Sequence, residues 1–357
     1  MYKPNTKWTW SFTIISLLQA IASLGLEGYV FAKFQTSLLA TAKGTTQSRT
    51  IPTYLSLFIF GFLYQLVLVW DALRLKNTIQ VIGLCLYNLG LLIYAAVQVD
   101  QIRQAVTTLG DLKDVEPQPG GNAGPDAALA LWQDMRPYLI AVPCVIALGL
   151  VLLSFVAWKL YDEFAWSIYK HISADLRLKR RYLTYQIYIA LLKFDFFFFL
   201  GFTVQFLVVV VNTSDAEFYI TIAAVPITIV LLLLAAFWTK RESIIGMMCI
   251  IVDALFRSPS LFLFKLVRMY AASSGHRRDD YSPARKSLTT FAAITVLLLV
   301  VTIVNACWCT HNFNKGLKPH IAKRKVPNPE DKTCGGYGEF GSQPVGLGQV
   351  TSRMTID

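Results

Sequence analysis

Four polar residues in the first apolar stretch, Ser16, Gln19, Ser23 and Glu27, recur at steps of three, four and four. On a helix that spacing places them on one face. A carboxyl group and three hydrogen-bonding side chains then form a seam along an otherwise apolar rod. A carboxylate inside a bilayer is costly and marks, by default, a proton, ion or substrate path. Seams of this kind face other helices and not lipid. Asn88 and Gln205, in two further apolar stretches, are placed to hydrogen-bond across helices in the same way.

A second charged group lies in "LLKFDFFFF" (191–199), where Lys193 and Asp195 precede four consecutive phenylalanines. Residues two apart on a helix point to nearly opposite sides, so these two are not each other's partners. Either they mark a working site within the membrane, or they sit at its edge, where lysine snorkels to the headgroups. The edge reading is the expectation, with the phenylalanines as the first layer of apolar contact. Asp71, at the end of another apolar stretch, is the available interhelical partner for Lys193. No carboxylate or histidine at matching depth completes a relay with Glu27, which is expected near a span end that water can reach.

Catalytic chemistry finds no foothold. The four histidines, His171, His276, His311 and His320, fall in loops or tail and fit no metalloprotease helix. The sequence has no nucleophile elbow, P-loop or dinucleotide fingerprint. Cys307, Cys309 and His311 fall short of the four ligands that a closed zinc site needs. The expectation is therefore a non-enzyme without cofactor, bound metal or nucleic-acid partner, whose surroundings are the lipid bilayer.

The elements that carry these residues follow from hydropathy. The chain has 357 residues, 55% of them hydrophobic and only 15% charged, against about 25% charged in soluble domains. Seven stretches approach the ~20 apolar residues that span a bilayer: about 8–32, 53–70, 78–98, 138–158, 187–211, 218–238 and 288–308. Their continuous hydrophobicity predicts an all-α, polytopic membrane helix bundle and not a β-barrel. The N-terminal stretch imitates a signal peptide, but it runs on to Phe31 and reads as an uncleaved signal anchor.

Charge sets the orientation. The segment 159–186 carries six Lys/Arg and 239–287 carries nine, while the loop between the third and fourth spans is acidic. Basic loops stay cytosolic, so both basic segments and the N-terminus are expected in the cytosol. Seven spans then place the tail in the lumen, against the vote of its own basic cluster "KPHIAKRK". An eighth span at 244–264 would remove that conflict. However, Glu242, Gly246, Cys249, Asp253 and Arg257 form a single polar stripe there, which favours an amphipathic helix lying on the membrane surface.

The segment 159–186 repeats Leu160, Phe164, Ile168, Ile172 and Leu176 every four residues, predicting an amphipathic helix that continues out of the fourth span. Lys179, Arg180 and Arg181 follow it as candidate contacts for anionic cytosolic lipids. The Pro/Gly-rich stretch 114–128 reads as a linker. Residues 311–357 read as a disordered tail.

Two long runs add a family resemblance. "LKNTIQVIGLCLYNLGLLIYAAVQVDQIRQA" (75–105) and "WKLYDEFAWSIYKHISADLRLKRRYLTYQIYIALLKFDFFFFLGFTVQF" (158–206) resemble an uncharacterised fungal family of multi-pass Golgi apparatus membrane proteins. The resemblance covers residues of about 8–310 and implies Golgi residence. It implies no reaction and carries over no catalytic residue. The leading expectation is a Golgi membrane protein acting in organisation or trafficking through its basic cytosolic loops. A small-solute or ion transporter using the span-one seam and a divergent seven-span receptor are the alternatives. The receptor reading conflicts with a cytosolic N-terminus and with "AAVQVDQIR", which lacks the Asp-Arg-Tyr motif.

Overall fold

In the computed structural model the described residues are 6–37, 46–111, 124–171, 176–209, 216–255, Val267 and 284–314. Eight helices are described: α1 (Lys7–Thr36), α2 (Thr46–Arg74), α3 (Thr78–Asp111), α4 (Pro125–His171), α5 (Leu176–Val209), α6 (Ala216–Arg241), α7 (Ile244–Leu255) and α8 (Ala284–His311). All except α7 are long and apolar enough to cross a membrane, which makes the fold the expected polytopic helix bundle. The helices overrun their apolar stretches because hydrocarbon fixes where a span must be apolar, whereas helical hydrogen bonding continues until a cap ends it. α4 already begins at Pro125, inside the stretch expected to be a linker.

Local signals set several of the ends. Thr6 caps α1 through a reciprocal capping box with Thr9, satisfying backbone donors that the helix leaves free. Asn77 Oδ1 accepts from the amides of Ile79 and Gln80 and starts α3. Lys76 before it turns the chain at φ +47°. The α2–α3 connection is consequently very short, which makes the two helices antiparallel neighbours.

Pairwise contacts give the direction of each helix. α1 and α3 run parallel, Gln19 meeting Asn88 and Glu27 meeting Gln98 further along both. α4 runs against α1, with Trp8 beside Phe155 and Tyr29 beside Tyr138. α5 runs with α3, since Phe194 lies over Gly83 and Gln205 reaches Tyr94. The end of the bundle where α1, α3 and α5 start is called the near end below, and its opposite the far end.

α8 runs against α5. Asn305 meets Thr184, Thr302 meets Asp195, and Phe291 packs beside Phe198, so α8 recedes as α5 advances. At the near end, the backbone N–H of Asn314 donates to Glu242 in the turn between α6 and α7, at 3.0 Å. α6 and α8 therefore both finish at the near end. α8 begins at the far end. α7 folds back along α6 so that Thr239 Oγ1 lies 3.2 Å from Met247 Sδ.

Of the stretch expected as a surface helix, the described part is α7, which packs on α6 through buried Met247 and Ile251; residues 256–264 and the tail lie outside the described residues. The polar stripe that suggested a surface helix has other causes. Glu242 is a turn residue at φ +54°. Gly246 is the point where Trp238 crowds the backbone, an added Cβ there lying 2.4 Å from Trp238 Cδ2. Asp253 faces a cavity between helices. Arg257 lies outside the described residues.

The main core joins α1 to α5 and α8. It is densely aromatic where Tyr64, Tyr87, Phe194, Phe197 and Phe198 meet. Hydrocarbon is as apolar as leucine, so burial from water does not drive these contacts. Close packing and interhelical hydrogen bonds do. Glycines make the approach possible: a Cβ on Gly83 would sit 2.4 Å from Phe194 Cε2. Of the phenylalanines expected to meet lipid, Phe197 and Phe198 are buried in this core.

Candidate functional site

Lys193 and Asp195 face different helices, as their spacing requires. Lys193 Nζ donates to Asp71 Oδ2 of α2 and, at 3.0 Å, to Gln80 Oε1 of α3. Gln80 closes the triangle by donating from Nε2 to Asp71 Oδ2 at 3.0 Å and to the Leu68 carbonyl at 3.1 Å. A single amide thus offers its oxygen to the cation and its nitrogen to the anion. The Tyr64 hydroxyl donates to the Lys193 carbonyl at 2.8 Å. Side-chain exposures of 26% for Lys193 and 29% for Asp71 put the ion pair at the margin of the bundle, beside the α2–α3 turn. Lys193 is therefore a near-end residue as expected, but it is clamped between helices and does not snorkel alone.

Asp195 departs from the expectation of a solvated edge. It is 8% exposed and its Oδ2 accepts from Thr302 of α8 at 2.6 Å, while Oδ1 has no hydrogen-bond partner among the described residues. Its side of α5 is covered by α8, a contact that no local pattern reports. The seam on α1 does face other helices. Gln19 and Asn88 exchange two amide hydrogen bonds, of 2.7 and 3.3 Å. Gln98 Nε2 donates to both oxygens of Glu27 at 3.3 and 3.2 Å. Glu27 is 1% exposed, so the expected access of water to it is corrected. Ser16 returns its hydroxyl proton to the Phe12 carbonyl at 2.8 Å, and Ser23 is buried in the same line. Gln205 donates to the Tyr94 hydroxyl at 3.1 Å, tying α5 to α3.

Gln80, Gln98, Tyr94 and Thr302 complete these sites and were not singled out from the sequence. Gln80 and Gln98 had a usable signal, because with Asn88 they put a polar side chain at each level of one apolar span. Thr302 had none, since threonine is ordinary in membrane helices and its partner lies 107 positions away.

At the near end, Lys179 and Arg180 are exposed and Arg181 is partly covered. Leu160 and Phe164 of the expected amphipathic repeat are buried. Its remaining apolar positions lie on side chains outside those described. Cys307 is exposed and Cys309 buried, since two residues apart they face different sides of α8.

Among curated proteins, the chain is 34% identical over 318 residues to a UPF0658 Golgi apparatus membrane protein of Schizosaccharomyces pombe, covering 87% of this chain and 88% of that protein. No family model matches. No solved structure matches.

Proposed function

Since the chain belongs to the UPF0658 family of Golgi apparatus membrane proteins, we propose that it serves Golgi organisation or trafficking, without catalysis, through a basic near end that faces the cytosol. The protein is a multi-pass membrane protein of the Golgi apparatus. The observation that carries the proposal is the convergence of charge at one end of the bundle. Exposed Lys179 and Arg180 open α5 and Lys240 and Arg241 close α6 at the near end, four cations against Arg285 and Lys286 in the first turn of α8.

α4 and α5 also extend past their apolar stretches at this end. The fourteen residues from Trp158 to His171 reach about 20 Å at 1.5 Å per residue. Such an extension gives a protein or an anionic lipid surface something to hold outside the bilayer. A solute path along α1 has less support, because Gln19, Asn88, Glu27 and Gln98 satisfy one another as ties between helices.

Proximity labelling from a tag between residues 171 and 176 tests the proposal. Vesicle-coat or tethering factors should be labelled, and the labelling should fall when Lys179 and Arg180 are both replaced by glutamate. An identical labelled set for both chains would overturn it.

A further inference from the structure

A cavity of about 80 Å³ lies between α5, α6, α7 and α8, bordered by Leu192, Phe199, Leu231, Leu232, Ile251 and Leu299. Its walls are apolar apart from a few oxygens, and those oxygens share one property. Thr228 gives its hydroxyl proton to the Ala224 carbonyl at 2.8 Å and Thr295 gives its own to Phe291 at 2.6 Å. Thr302 donates to Asp195 Oδ2 at 2.6 Å, and Asp195 Oδ1, buried and without a partner among the described residues, belongs to a side chain that borders the cavity. Asp253 adds a second carboxylate to the wall. The polar lining therefore offers acceptors whose own protons are already committed. A group that satisfies it must bring hydrogen-bond donors, and for a carboxylate in apolar surroundings a cationic donor is the strongest match.

We propose that this cavity binds the ammonium head of a lipophilic amine drawn from the bilayer. The ammonium donates to Asp195 Oδ1, while the attached chain lies among the leucines and phenylalanine. The hydrocarbon walls select an amine that carries an apolar chain over a hydrated inorganic cation, which gains nothing from contact with them. The binding requires no catalysis and is independent of the basic near end.

The test uses the full chain in neutral-lipid nanodiscs with two photoreactive, clickable probes of equal chain length, one ending in a primary amine and one in an alcohol. The amine should label saturably, be competed by the unlabelled amine, and map to peptides of α5 or α8. Asp195→Asn keeps the volume and removes the charge, and should weaken amine labelling tenfold or more while leaving alcohol labelling unchanged. Leu231→Trp fills the cavity without touching Asp195 and should abolish amine labelling, which keeps the test decisive if Asp195→Asn impairs folding. Equal labelling by amine and alcohol, or amine labelling indifferent to both substitutions, overturns the proposal.

Discussion

Replacing Lys193 by methionine removes the cation from the Asp71–Gln80–Lys193 triangle while keeping most of the side-chain volume. Asp71 then retains the hydrogen bond from Gln80, and the Gln80 oxygen loses its donor. A hydrogen bond to a charged group is worth about 1.5–3 kcal/mol. Both side chains are more than a quarter exposed, so water recovers part of the loss. A cost of about 2 kcal/mol is expected, near the low end of the range for breaking a pair. Asp71→Asn keeps an acceptor oxygen for Lys193 and should cost about 1 kcal/mol. If the two residues act on each other, the double variant should cost at least ~1 kcal/mol less than the sum of the single ones. The reciprocal exchange, Asp71→Lys with Lys193→Asp, should recover most of the stability because the Gln80 amide can turn over and present its nitrogen to the new anion. Unfolding in mixed micelles, followed by circular dichroism, provides the four free energies. Strict additivity, with no recovery in the exchanged protein, would refute the pairing as a source of stability.

Gly83→Leu forces the Phe194 ring out of its seat and should destabilise by about 1–3 kcal/mol. Phe194→Ala in the same chain should relieve part of that loss, read by thermal unfolding in detergent. Glu27→Gln should leave stability within about 1 kcal/mol, since a second amide can still pair with Gln98, whereas Glu27→Leu orphans that amide and should cost about 1–2 kcal/mol in the same measurement. Replacing Lys179 and Arg180 together by glutamine should weaken co-flotation with anionic liposomes by about 2 kcal/mol at low salt, an effect that fades as salt is added.

The bundle was legible in the sequence because hydrocarbon imposes one crude requirement, a long apolar run, which local composition reports without reference to any partner. The α1 seam was legible for a related reason: helical spacing alone places Ser16, Gln19, Ser23 and Glu27 on one face. The identities of their partners depend on which helices touch, and neither Gln98 nor Thr302 announces a partner 71 or 107 positions away. Helix 244–255 misled the reading through its glycine and its turn residue. Gly246 and Glu242 look polar in a periodic pattern, yet one is there for close packing and the other for a left-handed turn. Lys193 and Asp195 divided along the same line. Their opposite directions came from helical geometry, whereas the burial of Asp195 came from α8, whose Thr302 lies 107 positions away.

Sidedness is the most direct measurement. Epitope tags at the N-terminus, between residues 171 and 176, between residues 270 and 276, and at the C-terminus can be exposed to protease in sealed Golgi vesicles. The account predicts that the first, second and fourth are digested without detergent and the third is protected. A protected C-terminal tag beside a digested N-terminal one would contradict it.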